Sequence, residues 1–386
     1  MRHACNAPCK AAKIGYEGAK GEAPPVAGHT NPELPQPADD DRFQDALLEG
    51  VSRTFALTIP QLPAPLARVV SNAYLLCRIV DTIEDETALP VGGKREFYAR
   101  FVRALEGAED AQLWVDSLTP ALSPTASAYE HTLVRAMPRV IGIMHGFTPS
   151  QRAAITECVR IMADGMADFQ QRKSLDGLVD LAEHARYCYY VAGVVGEMLT
   201  RLFCDYSPAI ARRRDALMAR AVSFGQGLQM TNILKDVWED RRRGACWLPR
   251  DVFLAQGCDL SRLEPGHRNP GFGKGMDKLI AEARSCLKDA LDYTLLIPRE
   301  EEGIRNFCLW AAGMAVLTLR KLHRHLDFTE GRQVKITRRS VAATIRVSRF
   351  AARRDWLLRQ LFFALGIGLP RGERRETRAR AATPDA

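Results

Sequence analysis

YLLCRIVDTIEDE, residues 74–86, reads as one helix with two chemically different sides. Asp81 and Asp85 stand four residues apart and so project from one helical face. Tyr74 and Arg78 extend that face upstream, because steps of three, four or seven return to nearly the same angle at about 3.6 residues per turn. Val80 and Ile83 fall on other faces and can pack. A second stretch, GLQMTNILKDVWED at 227–240, repeats the arrangement with Gln229, Asn232, Asp236 and Asp240 on one stripe and Ile233, Leu234, Val237 and Trp238 elsewhere. Each segment is therefore an apolar helix carrying a polar stripe, and the two stripes are expected to face a cavity inside a helical bundle.

Around these segments the chain runs through long helical patterns broken by short punctuators, with no convincing alternating strand pattern. Helices are expected near 43–58, 64–87, 92–106, 128–143, 150–173, 177–205, 210–241, 274–296, 303–327 and 338–364, an all-α fold. Much of 187–203 and 303–319 is apolar on every side and should line the bundle centre. At 386 residues the chain can build one large core. We expect a disordered leader over 1–41, where Pro and Gly cluster and the segment ends in an acidic run, one helical domain over 42–370, and a disordered basic tail over 371–386. No apolar run is long enough to cross a bilayer or to act as a secretory signal.

Ten cysteines occur without a close pair spaced for zinc or redox work, which predicts reduced, buried thiols and a cytoplasmic protein. The net charge of +8 is unevenly placed: residues 332–386 hold fourteen Arg or Lys against four Asp or Glu, and everything before them is slightly acidic. Within this basic region, WLLRQLFFALGIGL at 356–369 suits either the surface of an anionic membrane at its cytoplasmic face or a last core-packing helix. No nucleic-acid recognition motif accompanies the charge, so a nucleic-acid partner is not expected. The chain is expected to be a monomer.

Two helices aiming like-charged carboxylates at one space would repel unless a cation filled it. Magnesium suits the role, since it takes oxygen ligands, keeps several waters and bridges a few carboxylates to substrate phosphates. Zinc does not, as no His or Cys joins either cluster. A single D-x-x-x-D is more often an exposed acidic turn, as Asp164 and Asp168 illustrate. Two such motifs about 150 residues apart, each continued by polar residues within an apolar helix, point to a metal site.

At these residues the sequence resembles the squalene and phytoene synthases. The likeness runs from about Phe43 to Arg339 through SRTFA (52–56), YLLCRIVDTIEDE, RIMADGMADF (160–169), YCYYVAGVVGEMLTRLF (187–203), LQMTNILKDVWED and FCLWAAGMAVLTL (307–319). The block YCYYVAGVVG and the later VKITR at 334–338 are closer to the squalene-forming branch. The resemblance implies an all-helical prenyl transferase of the isoprenoid-synthase type. Such an enzyme joins two farnesyl diphosphates head to head, with magnesium, through presqualene diphosphate, and then reduces that intermediate with NADPH.

The resemblance also assigns residues. Asp81, Glu84 and Asp85 match the first metal motif, and Asp236 and Asp240 the second. Ser52, Arg53, Arg78, Asn232 and Lys235 fall at positions for diphosphate or cofactor, with Gln229 on the same substrate-facing stripe. Phe55, Tyr74 and Phe307 match aromatic positions of the isoprenoid channel. Lys335 and Arg338 fall in a segment associated with NADPH. Tyr187 matches a residue placed near the carbocation to assist proton movement; without the resemblance it reads equally as a core tyrosine with a satisfied hydroxyl.

Gly193 and Gly196 leave room for substrate chains or permit close helix packing. Three departures stand out: Lys235 replaces a frequent arginine and loses its bidentate fork; Ala245 replaces an arginine, leaving Arg241, Arg242 or Arg243 to serve; and Ala311–Ala312 stands where some squalene-forming members carry Pro-Gln. Three other readings compete: a synthase that stops at presqualene diphosphate, dehydrosqualene or phytoene; a non-catalytic, membrane-associated assembly protein; and a head-to-tail elongating enzyme, which D-D-x-x-D motifs would mark and which this chain lacks.

Overall fold

The computed structural model describes residues 39–372, apart from 125, 267 and 268. Most of the expected leader and tail lies outside the described residues. Seventeen α-helices are named in chain order: α1 Asp40–Val51, α2 Phe55–Thr58, α3 Ala64–Asp85, α4 Val91–Leu105, α5 Ala111–Leu118, α6 Ala128–His145, α7 Pro149–Gln171, α8 Leu181–Cys188, α9 Val194–Tyr206, α10 Pro208–Ala211, α11 Arg214–Arg242, α12 Arg250–Leu254, α13 Pro270–Leu296, α14 Glu302–Arg324, α15 Gly331–Val334, α16 Arg338–Ala351 and α17 Asp355–Leu365. No strand occurs among the described residues; Leu178 and Pro249 make an isolated bridge.

Local chemistry sets the helix starts. Ser127 and Glu130 form a capping box on α6, and Thr148 with Gln151 forms another on α7, where Pro149 occupies the first turn. The acidic run assigned to the leader instead opens α1: Asp39 accepts the Asp41 N–H, and Asp40 and Asp41 occupy the first turn, where acidic side chains complement the helix dipole. The helix expected over 43–58 breaks at Ser52, whose extended backbone ends α1 and whose Oγ accepts the Phe55 N–H at 3.1 Å. The segment expected as helix from 177 begins at Leu181. The helix expected over 338–364 is two helices with a corner at 352–354. The short α5 was absent from the pattern because eight residues give too few turns for a periodic signal.

Two large apolar clusters make the core. One gathers α3, α6, α7 and α9 around Leu75, Leu76 and Ile79; the other gathers the second half of α11 with α13, α14 and 245–263. Val191 and Leu228 touch both, so the seam between the clusters passes beside α11. Helices α9 and α11 approach very closely there. A Cβ added to Gly225 would lie 2.0 Å from the Ala192 carbonyl oxygen, and one added to Gly196 would lie 2.2 Å from that of Ala221. Gly196 thus permits close packing on one side and borders an apolar cavity on the other.

Between α8 and α9 the chain forms a π-helical turn, Tyr189–Gly193. Gln226 Nε2 donates at 2.9 Å to the Ala185 carbonyl just before that turn, so α11 supplies a hydrogen bond where the helix changes its repeat.

Because both partners at Gly225 are backbone, neither can swing aside. Gly225→Ala is expected to destabilise the fold by about 1–3 kcal/mol, read as a lower urea midpoint. A neutral result would mean that the approach of α11 to the Tyr189–Gly193 turn is looser than described.

Candidate active site

The polar stripes of α3 and α11 meet across one cavity of about 440 Å³. Asp81, Glu84 and Asp85 line it from α3; Gln229, Asn232, Lys235, Asp236, Glu239 and Asp240 line it from α11. Arg78, Lys173 and Arg243 add positive charge, and Gln170, Tyr187 and Trp247 complete the wall. The clearest link across the gap is Arg243 Nη1, which donates to Asp85 Oδ1 at 2.6 Å. Of the three arginines that follow the second motif, Arg243 therefore takes the cavity position. Arg241 donates to the Leu175 carbonyl, and Arg242 pairs with Glu239.

The carboxylates carry the cost of this crowding. Burial, then the charges of Asp85 and Asp81, pushes Glu84 up to about 8. Burial, then Asp236 and Asp85, pushes Asp240 up to about 7. Asp81 rises to about 6 through burial, against the opposing pull of Arg78. Protein surrounds Asp81, yet 31 % of its side chain remains accessible because it faces the cavity. Asp236 is raised by burial although Lys235 Nζ lies 3.0 Å away. Burial opposes the charge of Arg78, but Asp81 at 3.6 Å and Glu130 outweigh it and raise its pKa.

Glu84 is held from three sides. Gln170 Nε2 and Tyr187 Oη each donate to its carboxylate at 3.2 Å, while Lys94 Nζ donates to its backbone carbonyl and to Gln170 Oε1. The Tyr187 ring stacks on Trp247 with centroids 4.2 Å apart and meets the edge of Phe169. One face is thus covered, and it is the hydroxyl that Tyr187 directs toward the acidic rim.

A second, apolar cavity of about 280 Å³ continues from the first, sharing Arg78, Asp81, Val191, Gln229 and Asn232 with it. Phe55, Tyr74, Met198, Phe203, Phe224, Tyr293 and Phe307 line it. The Phe55 and Tyr74 rings lie 4.7 Å apart, and burial pushes the Tyr74 hydroxyl up to about 12, with Ser52 hydrogen-bonded to it. Ser52 reaches the cavity only through that contact.

Like Ser52, three more predicted residues do not join the lining. Arg53 is exposed in the turn after α1, where the break at Ser52 directs the chain outward. Lys335 is exposed just after α15, although its charge reaches Asp236. Arg338 is exposed as the first residue of α16.

Glu239 was missed in the sequence, although Asp236-x-x-Glu239-Asp240 repeats the spacing of Asp81-x-x-Glu84-Asp85. Its Oε1 accepts the Gly331 N–H at 3.0 Å, and its buried Oε2 has no hydrogen-bond partner among the described residues. Arg78 Nε is likewise buried and unpartnered. A Cβ on Gly331 would lie 3.0 Å from Asp236 Oδ1 and 3.2 Å from Glu239 Oε2, so only glycine lets α15 close on the second motif.

This donor set fits magnesium. It is all oxygen, its carboxylates repel one another, and an acceptor and a donor stand orphaned beside it. No three His, Cys, Asp or Glu among the described residues form a tight nest by themselves. The fit to NADPH is poorer, as Arg53 and Arg338 stand outside the lining and Lys335 acts only at its edge.

Groups held above their unfolded pKa favour the folded state while protonated and lose that advantage as pH rises through the folded value. His184, pushed down to about 4 by burial, works in the opposite sense below about 6.5, and Lys94, pushed down to about 8 by burial, acts only above that pH. Between pH 6.5 and 8 the raised Asp240 and Glu84 therefore dominate. Metal-free protein should lose thermal stability across this window, and millimolar magnesium should flatten the slope. A Tm that stays level without metal would contradict the crowded-carboxylate description.

A family model described as squalene/phytoene synthase matches residues 48–340. The chain is 29 % identical to the squalene synthase ERG9 of Gibberella zeae over 294 residues, covering 74 % of this chain and 59 % of that protein. It is 28 % identical to the squalene synthase of Cyberlindnera jadinii over 303 residues, covering 75 % and 65 % respectively. The chain thus spans less than two thirds of the length of these two relatives. A solved structure of TcSQS with a ligand superposes with a TM-score of 0.69 at 25 % identity, covering 85 % of this chain and 91 % of that one. A dehydrosqualene synthase structure at 20 % identity shares the fold, with a TM-score of 0.59 over 80 % of this chain and 94 % of that one. With the match covering most of the chain and the paired acidic helices framing its cavity, the protein belongs to the squalene/phytoene synthase family.

Proposed function

We propose that the chain is a magnesium-dependent prenyl transferase that condenses two farnesyl diphosphates head to head through presqualene diphosphate, with NADPH-dependent reduction to squalene following. One observation carries this reading: a charged cavity, rimmed by carboxylates from two helices, runs directly into an aromatic-lined apolar one through Arg78, Asp81, Val191, Gln229 and Asn232. A molecule with a diphosphate at one end and a long hydrocarbon at the other has that polarity. A cytoplasmic location agrees with the eight described cysteines, all of them free thiols and most of them buried. A monomeric chain remains the simplest assembly for a cavity enclosed by one polypeptide.

Magnesium, held by Asp81, Glu84, Asp85, Asp236, Glu239 and Asp240, would neutralise the diphosphate and improve it as a leaving group. Arg78, Lys235 and Arg243 add fixed positive charge beside that head group, and Asn232 and Gln229 orient it where the two cavities join. The first substrate then ionises to an allylic cation and the second supplies its alkene as nucleophile. The apolar wall keeps water from the cation. Phe55, Tyr74 and Phe307 offer ring faces worth about 0.5–2 kcal/mol each to a passing positive charge. Tyr187, which donates its hydroxyl to Glu84 in the charged cavity, would assist proton movement at the acidic rim. NADPH would supply the hydride that ends the sequence.

A second reading is favoured by Arg53 and Arg338 standing outside the cavity: condensation without reduction, releasing presqualene diphosphate, dehydrosqualene or phytoene. Incubation with farnesyl diphosphate and magnesium, with and without NADPH, separates the two by product. Squalene formed only with NADPH is expected; an unchanged product removes the reductive step. Asp81→Ala and Asp240→Ala should each lower turnover by about a hundredfold or more, while circular dichroism stays helical. Substantial turnover surviving both changes would refute the metal assignment, whereas no turnover in the unaltered chain would favour a non-catalytic binding protein.

A further inference from the structure

The outer surface of the last two helices has no role in the site above and is unusual in its chemistry. On α16 the exposed residues Arg339, Ala342, Ala343, Arg346, Val347 and Phe350 recur at helical spacing. On α17, Trp356, Arg359, Gln360, Phe363 and Ile367 continue in the same way and end just past the helix. Phe350 is 64 % exposed, Trp356 67 %, Phe363 57 % and Ile367 59 %, whereas large apolar side chains in water normally occur singly.

The opposite sides of these helices are packed. Ser348, Ala351 and Leu358 are buried. Arg305, fully buried, donates to the Ala352 carbonyl at 2.5 Å and to Asp355 Oδ1 at 2.7 Å, which fixes the corner between α16 and α17. The apolar residues outside are therefore held out by a well-fastened scaffold.

The charge around them is mostly positive, although Arg359 pairs with Asp292 of α13 at 3.1 Å. From 332 to 372 the sequence has ten Arg or Lys and a single acid, Asp355, and Arg299 and Arg305 both pair with that acid at 2.7 Å. Arg339, Arg346 and Arg353 have no acidic partner among the described residues. Arg354 lies over the Phe350 ring at 4.4 Å. Arg349 reaches across to Gln61 at 3.1 Å, which ties α16 to the segment carrying the exposed Leu57, next to Phe55 and Ile59 of the apolar cavity.

We propose that the outer face of α16 and α17 is a docking surface for an anionic lipid bilayer, on which the protein lies flat with Phe350, Trp356, Phe363 and Ile367 in the interface and Arg339, Arg346 and Arg353 against the headgroups. Interleaved aromatic and basic residues on a rigid amphipathic face match an interface that is apolar inside and negative at its surface. The contact is peripheral, since no described helix is long and apolar enough to cross a membrane. A second copy of the chain fits poorly, because a two-fold contact would set these arginines against themselves. Residues 373–386 offer no excess of negative charge to match them, having four arginines against three acids. The proposal does not depend on the prenyl-transfer reading.

The sequence supplies its own reporter. Of the five tryptophans, Trp114, Trp238, Trp247 and Trp310 are buried and Trp356 is exposed. Full-length protein would be mixed with vesicles of phosphatidylcholine alone or with 30 mol % phosphatidylglycerol, following tryptophan emission and flotation. The expected result is a blue shift and co-flotation with the anionic vesicles only, both lost at high salt. The shift, but not the folding, should vanish in Trp356→Ser.

Arg346→Glu with Arg353→Glu should weaken partitioning by at least about tenfold. A control of equal charge change, Arg212→Glu with Arg214→Glu, should not, and circular dichroism with thermal melts establishes that each variant folds. Equal binding to uncharged vesicles, equal loss in the control pair, or no shift from Trp356 overturns the proposal. So does light scattering that shows a dimer abolished by Phe350→Asp. None of these residues touches the catalytic cavity, so farnesyl diphosphate turnover in detergent reports on the other reading separately.

Discussion

Repulsion between carboxylates across one cavity is the constraint around which the rest of this protein is arranged. Six acidic side chains from α3 and α11 face a common space, and burial together with their mutual charge lifts Asp81, Glu84 and Asp240 well above the usual carboxylate range. No fold collects such a group without a return, because each buried charge opposes folding. The surroundings offset part of it: Arg243 bridges to Asp85, Arg78 to Asp81, Lys235 to Asp236, while Gln170, Tyr187 and Lys94 fasten Glu84. A divalent cation carrying a diphosphate would offset the remainder.

That crowding needs a rigid frame. Long helices supply it, and they are brought close where glycine removes the side chain, as at Gly225 against Ala192 and Gly331 against the second acidic motif. The π-helical turn at Tyr189–Gly193 sits at the seam of the two apolar clusters, where Val191 borders both cavities. A helix with a uniform repeat through this point would rotate Tyr187 relative to α9. The irregular turn lets one segment place a hydroxyl at the acidic rim and small residues against α11.

Polarity then divides the labour. Acid and base crowd one end of a continuous space, aromatic and aliphatic side chains line the other, and a few residues at the junction belong to both. The same division reappears outside, where α16 and α17 set aromatic residues among arginines. Inside, the arrangement suits an amphipathic small molecule; outside, it suits an amphipathic surface.

Much of this was legible in the amino-acid order. Periodicity alone made the chain helical, and the i, i+4 spacing of Asp81 with Asp85 and of Asp236 with Asp240 put the acids on single faces, since a helix repeats every 3.6 residues whatever its neighbours. The capping boxes at Ser127 and Thr148, found in the structure, set helix starts by equally local chemistry. What only the tertiary structure decided is relational. Arg243 rather than Arg241 or Arg242 turns into the cavity, Arg53 and Arg338 turn away, Tyr187 loses one ring face to Trp247, and Glu239 joins the rim. Each outcome depends on how distant helices cross and how closely their backbones approach, and packing of the whole core sets both, beyond the reach of any local pattern.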